Sequence, residues 1–236
     1  MEGGPAESGF PSVAFVAVVL RDSCAPPPFS GCPPCLRVDA VRRSTDAQGN
    51  GPMKHWHETQ QVVHALGAWL AEEVACAVAT VVRVQGSAYR HEGAKLAVNA
   101  RGEHVGNVSG GCLEADVREV ALRVAASGVA ERRRYCGGSD EVAAWDLGIG
   151  CEGVVELLVE PVREPRTADA LSLALGRGYV AVTRLAGEAE GRVGEGSAPR
   201  AVLRPHGDPA RRLVHGTLGD AALDMVAAHE AAAWYA

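Results

Sequence analysis

A glycine-rich turn that carries one cysteine is the feature that most constrains how this chain folds. The stretch Val105-Gly-Asn-Val-Ser-Gly-Gly-Cys-Leu-Glu-Ala-Asp116 predicts a strand, a turn and the first turn of a helix. Because Gly110 and Gly111 lack a Cβ, the backbone there can adopt positive φ and point successive N–H groups into one concavity, as in phosphate sites. A helix N-terminus favours a thiolate at Cys112, which binds metals or exchanges sulfur. The alternative, a plain tight turn with a small buried cysteine, stays open.

A second turn of the same kind follows at Gly148-Ile-Gly-Cys-Glu-Gly153. Two glycine–cysteine turns in one domain predict one bipartite site to which Cys112 and Cys151 both contribute. The second turn also matches the pattern G-x-G-x-x-G, which binds dinucleotides only where a helix begins within it. Here the alternating residues of Val154–Glu160 predict a strand, so the sequence argues against a Rossmann site.

Composition limits the kind of partner that the chain can bind. With 236 residues, 47% of them hydrophobic, it is long enough to bury a core. Its net charge of −6 argues against a nucleic-acid partner, and the basic run Arg132-Arg-Arg134 is interpreted as a solvated face. Seven scattered cysteines fit a reducing cytoplasm. No apolar run approaches the roughly 18 residues that a membrane-spanning helix needs, which argues against a membrane protein. The short apolar run Val13–Leu20 lacks the preceding basic residues of a signal peptide.

The sequence divides into three predicted parts. Residues 1–52 contain proline clusters and a polar run, so we expect a disordered or low-complexity extension, which includes the Cys32-Pro-Pro-Cys35 pair. Met53 opens the patterned part and is a candidate for the natural start. Residues 53–165 form the domain with the glycine–cysteine turns, and residues 166–236 resemble a degenerate second repeat that packs on it.

Hydrophobic periodicity predicts the elements of the first repeat. A helix is expected over Thr59–Ala71, and a second from Leu113 to a glycine stop at Gly128. Strands are expected over Ala75–Val84, Lys95–Asn99 and His104–Ser109. The fold class is therefore α/β (α+β), a mixed sheet with flanking helices built from two degenerate repeats. His55 and His57 enter the first helix and are interpreted as solvated rather than as metal ligands.

The tail repeats this order without the cysteine. Strands at Tyr179–Arg184 and Arg200–Arg204 are expected before a turn at Gly216–Leu223. The counterpart of the first turn is Leu218-Gly-Asp220, so we expect the chemistry to lie in the first half only.

The chemistry predicted for the first half is an anion held by backbone donors beside two thiols suited to a soft metal or a transferable sulfur. Arg83, Tyr89, Arg90 and Lys95 are near enough in sequence to supply charge to phosphate oxygens, although each alone also fits an ordinary surface position. Glu114 opposes an anion but is equally an ordinary dipole partner in a first helical turn. Ser109 lacks the surroundings of a hydrolase nucleophile, and no catalytic residue is assigned.

Several of these stretches, in order, resemble the XdhC/CoxI family, the accessory proteins of xanthine dehydrogenase and aerobic carbon monoxide dehydrogenase. The stretches are Val81-Val-Arg-Val-Gln-Gly-Ser-Ala-Tyr-Arg90, Gly93-Ala-Lys95, Gly106-Asn-Val-Ser-Gly-Gly-Cys-Leu-Glu-Ala-Asp-Val117 and Gly148-Ile-Gly-Cys151 with the later Glu160-Pro161. Glu152 departs from the family's usual Gly-Cys-Gly-Gly turn. The C-terminal Rossmann domain of many members is not expected in this chain.

The resemblance implies a chaperone more than an enzyme. Such a protein binds molybdenum cofactor (molybdopterin) and protects it while a cysteine desulfurase replaces a terminal oxo ligand with sulfur. It then delivers the cofactor to a molybdenum hydroxylase client. A cytoplasmic homodimer is expected.

Carried onto this sequence, the resemblance and the residue chemistry give one set of candidate site residues. The candidate cofactor-binding residues are Gly86, Ser87, Tyr89, Arg90, Lys95, Ser109, Gly110, Gly111, Cys112, Glu114, Gly148, Gly150 and Cys151, and the candidate metal ligands are Cys112 and Cys151. Two alternatives stay open: a small thiol-dependent oxidoreductase that uses the Cys112/Cys151 pair, and an oligomerisation module without a ligand.

Overall fold

The computed structural model describes residues 15–22, 36–43, 53–136, 153–163, 179–185, 191–195, 200–204 and 207–235. These residues form a mixed α+β structure with two β-sheets. The α-helices among them are α1 (Met53–Ala71), α2 (Glu114–Ser127) and α3 (Ala221–Tyr235). The strands are β1 (Phe15–Asp22), β2 (Leu36–Arg43), β3 (Cys76–Gln85), β4 (Lys95–Asn99), β5 (His104–Gly106), β6 (Val129–Cys136), β7 (Val154–Val162), β8 (Tyr179–Leu185), β9 (Gly191–Glu195), β10 (Arg200–Leu203) and β11 (Leu213–Thr217).

The first sheet has six strands in the order β5-β4-β3-β7-β6-β9, and every neighbouring pair is antiparallel. Helix α2 packs on one face of this sheet through the buried side chains Val117, Val120, Ala121 and Val124. Helix α1 packs on the other face through Val62, Leu66 and Trp69. Because both faces of β3 are covered, this strand is an almost continuous run of buried alanine and valine rather than an alternating one.

The second sheet joins the two ends of the sequence. Its order is β11-β10-β8-β1-β2, and the β1–β8 pair is parallel while the others are antiparallel. The expectation that residues 1–52 do not fold differs from the structure at Phe15–Asp22 and Leu36–Arg43, which form strands. The physical reason is pairing: β1 lies between β2 and β8, and its pairing with β8, far along the chain, is not revealed by local composition. The rest of residues 1–52, including Cys32 and Cys35, lies outside the described residues.

The elements predicted for the first repeat are confirmed, although α1 begins at Met53, six residues before the predicted Thr59. Strand β4 has the predicted bounds, β3 is displaced by one residue, and β5 ends three residues early at Gly106. Helix α2 stops at Gly128, which adopts the left-handed conformation (φ 70°) and donates its N–H to the carbonyl of Val124. The strand predicted after Gly153 is confirmed as β7, so the G-x-G-x-x-G pattern is followed by a strand.

The interpretation of the basic run as a solvated face is wrong. Arg132, Arg133 and Arg134 lie in β6, inside the six-stranded sheet. Only Arg134 is exposed, whereas Arg132 is buried and its Nη2 lies 3.4 Å from Oε2 of Glu156 on the neighbouring strand. Alternation along the strand places Arg133 on the opposite face of the sheet from Arg132 and Arg134, so the three side chains do not form one basic patch.

The two strands predicted for the tail are confirmed as β8 and β10, with the further strand β9 between them in sequence. Strands β8, β10 and β11 pair antiparallel and lead through a turn into α3, as β3, β4 and β5 lead into α2. A common origin of the two halves stays a prediction, as do the domain boundaries at residues 52 and 165. Among the described residues, no helix is both long enough and apolar enough to cross a membrane.

Candidate functional site

The glycine–cysteine turn begins where β5 passes close to β4. Gly106 has a φ of 99°, and a Cβ at this position would lie 2.2 Å from the carbonyl oxygen of Lys95. Only glycine therefore fits here, and the N–H of the next residue, Asn107, still donates to the carbonyl of Lys95 at 2.8 Å. Residues 107–113 form the turn, and α2 begins at Glu114.

The carboxylate of Glu114 folds back and closes the turn from inside. Its Oε1 accepts the N–H groups of Val108 (3.1 Å) and Ser109 (2.9 Å). Its Oε2 accepts Oγ of Ser109 (2.5 Å) and the N–H of Gly111 (2.8 Å). Ser109 Oγ in turn accepts the N–H of Leu113 at 2.9 Å. We call this network the Glu114 brace; it fixes the turn against the start of α2.

Electrostatics show that the brace holds an ionised carboxylate. Burial alone would raise the pKa of Glu114, but the hydrogen bonds from Oγ and N–H of Ser109 and from the N–H of Val108 outweigh it and lower that pKa. Glu114 is therefore charged at neutral pH and supplies the anion around which the turn is wrapped.

A second set of contacts ties the turn to α1. The side-chain oxygen of Asn107 accepts the N–H of Gly110 at 2.7 Å and Nε of Arg90 at 3.1 Å. Nη2 of Arg90 also lies 2.5 Å from Oε2 of Glu58 on α1. Arg90 is buried, with 8% of its surface exposed, so its charge serves the packing of the loop between α1 and the turn.

These contacts change the picture of a phosphate cradle. The N–H groups of Ser109, Gly110 and Gly111 donate to Glu114 or Asn107, so they do not point as free donors towards a ligand. The cations predicted to assist are also engaged, since Arg90 pairs with Glu58 and Nζ of Lys95 donates to the carbonyl of Gly93 at 3.0 Å. A phosphate-binding role for Gly110 and Gly111 stays a prediction that requires these internal bonds to be exchanged.

The thiol of Cys112 lies at the rim of a small pocket. The pocket has a volume of about 20 Å³, enough for one water-sized group. Cys112 is half-buried, and its Sγ lies 3.8 Å from the carbonyl oxygen of Ser109. The pocket is lined by Ala88, Tyr89, Arg90, Val108, Ser109, Cys112, Leu113, Tyr135, Gly153 and Val155. A larger ligand must therefore lie across the pocket mouth rather than inside it.

The floor of this pocket contains an aromatic side chain that the sequence analysis missed. The hydroxyl of Tyr135, on β6, donates to Oδ2 of Asp116 on α2. Burial first, and then this hydrogen bond, raise the pKa of Tyr135 above its usual range, so the phenol is neutral at physiological pH. The contact joins the strand beneath the pocket to the helix that begins at the turn. Nothing local in the sequence marks Tyr135, because its partner lies on another element.

Tyr89 lies on the opposite side of the turn and is exposed. Its ring rests against Gly110, where a Cβ would lie 2.4 Å from Cδ1 of Tyr89. Gly110 also has a φ of 85°, so both its conformation and its surroundings require glycine. Gly111 differs, because a Cβ built on it would meet nothing within 4 Å. The turn is therefore packed at Gly110 and open at Gly111.

The second glycine–cysteine turn is described only at its last residue. Gly148, Gly150 and Cys151 lie outside the described residues, and so the predicted meeting of Cys112 and Cys151 stays a prediction. Gly153, two residues after Cys151, is buried and lines the same pocket as Cys112. A Cβ at Gly153 would lie 2.3 Å from the carbonyl oxygen of Ser87, which places the exposed Gly86-Ser87 segment beside it.

The cysteines of the described part differ in their environments. Cys76 is buried in the sheet, and burial raises the pKa of its thiol to about 11. Cys136 is exposed at the end of β6, next to Val154 on β7. Within the described ranges, no cluster of three or more His, Cys, Asp or Glu side chains is placed to hold a metal ion.

The turn before α3 provides an internal comparison. There Asp224 accepts the N–H of Leu218 at 2.8 Å and Oγ1 of Thr217 at 2.6 Å, much as Glu114 closes the first turn. Gly216 also approaches the neighbouring strand, since a Cβ would lie 2.1 Å from the carbonyl oxygen of Arg200. The carboxylate closure is thus present in both turns, whereas the thiol is present only in the first. The closure is structural, and Cys112 is what distinguishes the first turn.

Comparison with known proteins agrees with the resemblance carried by the sequence. Residues 69–136 match the model of the XdhC and CoxI family, a range that contains the turn, Tyr89 and Tyr135. The chain is 33% identical over 104 residues to a protein of Bacillus subtilis (strain 168) named as a probable xanthine dehydrogenase subunit, covering 43% of this chain and 31% of that protein.

It is also 32% identical over 121 residues to the molybdenum cofactor insertion chaperone PaoD of Escherichia coli (strain K12), covering 47% of this chain and 36% of that protein. The matches thus span about a third of the length of these relatives. A crystal structure described as a xanthine dehydrogenase from Bacillus halodurans aligns with 66% of this chain and 46% of its own, at a TM-score of 0.49 and 24% identity.

Proposed function

Since residues 69–136 carry the XdhC and CoxI family segment, we propose that this protein assists the maturation of a molybdenum hydroxylase by holding molybdenum cofactor at the glycine–cysteine turn. The carrying observation is the half-buried Cys112 thiol at the rim of a pocket formed by a rigidly braced turn. Two relatives bear names that concern xanthine dehydrogenase and insertion of molybdenum cofactor, which supports this choice of ligand.

The residues present fit such a ligand in one respect and not in another. A thiol is a suitable ligand for molybdenum or partner for a transferable sulfur. Cys112 lines the pocket, and the neighbouring Gly111 has no side chain that could block a ligand from the thiol. By contrast, the N–H groups of the turn are already engaged, so we do not assign the phosphate to them. Bound cofactor would supply the molybdenum and sulfur chemistry. The protein positions Cys112 and shields one side of the ligand.

Cys151 is part of the proposal through its place in the sequence. It precedes Gly153 by two residues, a separation that an extended chain spans in about 7 Å. Because Gly153 and Cys112 line one pocket, a second thiol within that reach makes a two-sulfur site at the pocket mouth feasible. Gly86, Ser87 and Lys95 complete the proposed surroundings.

The wider role extends the same proposal. The client is a molybdenum hydroxylase such as xanthine dehydrogenase or carbon monoxide dehydrogenase, a cysteine desulfurase supplies sulfur to the held cofactor, and the protein acts in the cytoplasm as a homodimer. In this role the protein is a chaperone, and none of its residues is proposed to be catalytic.

Co-expression with the cofactor biosynthesis pathway tests the proposal. The protein is purified, molybdenum is measured by mass spectrometry, and pterin is measured as its fluorescent oxidation product. We expect the parent to carry both, Cys112→Ala to lose most of both, and the control Cys136→Ala, which removes an exposed thiol at the end of β6, to match the parent. Equal contents in Cys112→Ala and the parent, or none in the parent, would contradict the proposal.

The alternative, a redox pair of Cys112 and Cys151, is distinguished by thiol titration. A redox pair loses two titratable thiols reversibly on mild oxidation, whereas a cofactor holder retains them.

A further inference from the structure

Tyr89 is unusually exposed for an aromatic residue whose ring packs against a turn. Its surface is 72% exposed, yet its ring rests against Gly110 at a distance that leaves no room for a Cβ. Gly110 itself is held by its hydrogen bond to Asn107, 2.7 Å away. A large aromatic surface that stays in solvent beside a pocket is characteristic of a binding platform.

We propose that the Tyr89 ring is a platform on which a planar heterocycle stacks at the mouth of the Cys112 pocket. Tyr89 and Cys112 line the same pocket, so a ligand that stacks on the ring also reaches the thiol. The inference rests on the proposed function, in which the planar group is the pterin of the cofactor, and it assigns Tyr89 to that part of the ligand rather than to a phosphate. Stacking recognises the π-face of the ring and needs no charge from the protein.

The surroundings favour a small flat ligand over a docked protein. A protein-docking patch needs several contiguous apolar side chains around its aromatic anchor. The exposed residues that flank Tyr89 in the chain or form the turn beside it are small or polar: Gly86, Ser87, His91, Gly110 and Gly111. Among the residues whose side-chain exposure the structure describes, the other exposed large apolar ones are Leu213, Met225 and Val226, which belong to β11 and α3.

The open side of the turn gives the ligand space. No atom outside the immediate chain neighbours lies within 4 Å of a Cβ built on Gly111, so a flat ring can cross the turn between Tyr89 and Cys112. The pocket itself admits only one water-sized group, which leaves the ring outside it and lets a substituent enter. The missing side chains at Gly110 and Gly111 then leave room for the ligand above the turn, while their N–H groups donate to Asn107 and Glu114 rather than to the ligand.

Titration with a fluorescent pterin, 6-hydroxymethylpterin, tests the platform directly. Quenching of pterin fluorescence gives the Kd for the parent and for Tyr89→Phe, Tyr89→Leu and Tyr89→Ala, with Met225→Ala as the control for loss of an exposed apolar side chain. We expect Phe to bind within about threefold of the parent, and Ala to bind roughly 5- to 150-fold more weakly, the range found for loss of one stacked base. Leu keeps apolar area without a π-face and should resemble Ala.

In the pterin titration, three results would overturn the inference. They are no binding of the pterin to the parent, equal affinity of Tyr89→Ala and the parent, and equal affinity of Tyr89→Leu and the parent. Thermal unfolding of each variant checks that the fold is intact, which the exposure of Tyr89 leads us to expect. If the co-expressed Tyr89→Ala protein keeps its molybdenum and pterin, the platform fails while the proposed function survives. If that variant keeps them but no longer activates the client, Tyr89 is a protein contact instead.

Discussion

Removal of the Glu114 carboxylate tests whether the turn is a rigid support for Cys112. In Glu114→Ala the N–H groups of Val108 and Ser109 lose their acceptor, and these two residues are 1% and 8% exposed. A buried donor left without a partner costs about 1–3 kcal/mol. Of the two other donors, the Ser109 hydroxyl can rotate to another partner and the N–H of the exposed Gly111 can turn to water, each at little cost. We therefore expect a loss of about 2–6 kcal/mol in the free energy of unfolding, a large share of the roughly 5–15 kcal/mol of a typical protein.

The second turn supplies the matched control. Asp224→Ala leaves the buried Leu218 N–H and the Thr217 hydroxyl without their acceptor, so it should cost about 1–3 kcal/mol by the same mechanism. Urea unfolding measures both variants, and molybdenum analysis after co-expression measures cofactor retention. We expect only Glu114→Ala to lose cofactor at a temperature where both variants are folded. If Glu114→Ala is as stable as the parent, or if both variants lose cofactor equally, the brace does not act as described.

Charge at Glu114 makes this stability depend on pH. The pKa of Glu114 is lower in the folded protein than its ordinary value of 4.5, because the hydrogen bonds of the brace outweigh burial. The unfolded chain therefore takes up a proton first as the pH falls, and the stabilisation that is complete above pH 4.5 is lost as the pH drops through the lower folded value. We therefore measure the free energy of unfolding of the parent and of Glu114→Gln at about pH 7, 5 and 3.5. The advantage of the parent over the variant should be the same at the two higher pH values and smaller at the lowest. A difference that does not change with pH would contradict an ionised brace.

Two further substitutions probe the surroundings of the pocket. Gly110 has a φ of 85°, and the Cβ of Gly110→Ala would overlap the Tyr89 ring, so we expect urea unfolding to show a loss of about 1–3 kcal/mol in the free energy of unfolding. The control Gly67→Ala, in open space on α1, should raise that free energy by about 1 kcal/mol. Equal effects of the two substitutions would refute the close approach of Tyr89 to Gly110. Tyr135→Phe removes a donor to α2 and should cost about 1–2 kcal/mol at pH 7. Because the folded pKa of Tyr135 is raised, the parent should lose stability above about pH 10, where the unfolded phenol ionises first, and the variant should lack that component.

The sequence predicts well those elements whose boundaries are set locally. The strand at Lys95–Asn99 is bounded by turn residues on both sides, and the helix that ends before Gly128 carries its stop signal in its own sequence. Strand β6 shows the limit of this approach. By sequence alone its arginines fit a solvated face, but the burial of Arg132 depends on Glu156, which reaches it only when β7 pairs with β6.

The same limit explains what was missed in the site. The glycine pattern correctly marks a turn before a helix, but it does not show which acceptors the freed N–H groups meet. Those acceptors are Glu114 and Asn107, and their roles depend on how the turn folds back on itself. Strand β1 is missed for a similar reason, since its partner β8 is distant in sequence.

Protection of individual cysteines from alkylation tests most directly whether the cofactor lies at this turn. Protein purified with and without co-expressed cofactor biosynthesis is treated with iodoacetamide, and the labelled fraction of each cysteine is read by peptide mass spectrometry. Cys136, exposed at the end of β6, serves as the internal reference. The account predicts that cofactor strongly slows labelling of Cys112 and leaves Cys136 unchanged; equal labelling of Cys112 in cofactor-loaded and cofactor-free protein would contradict it.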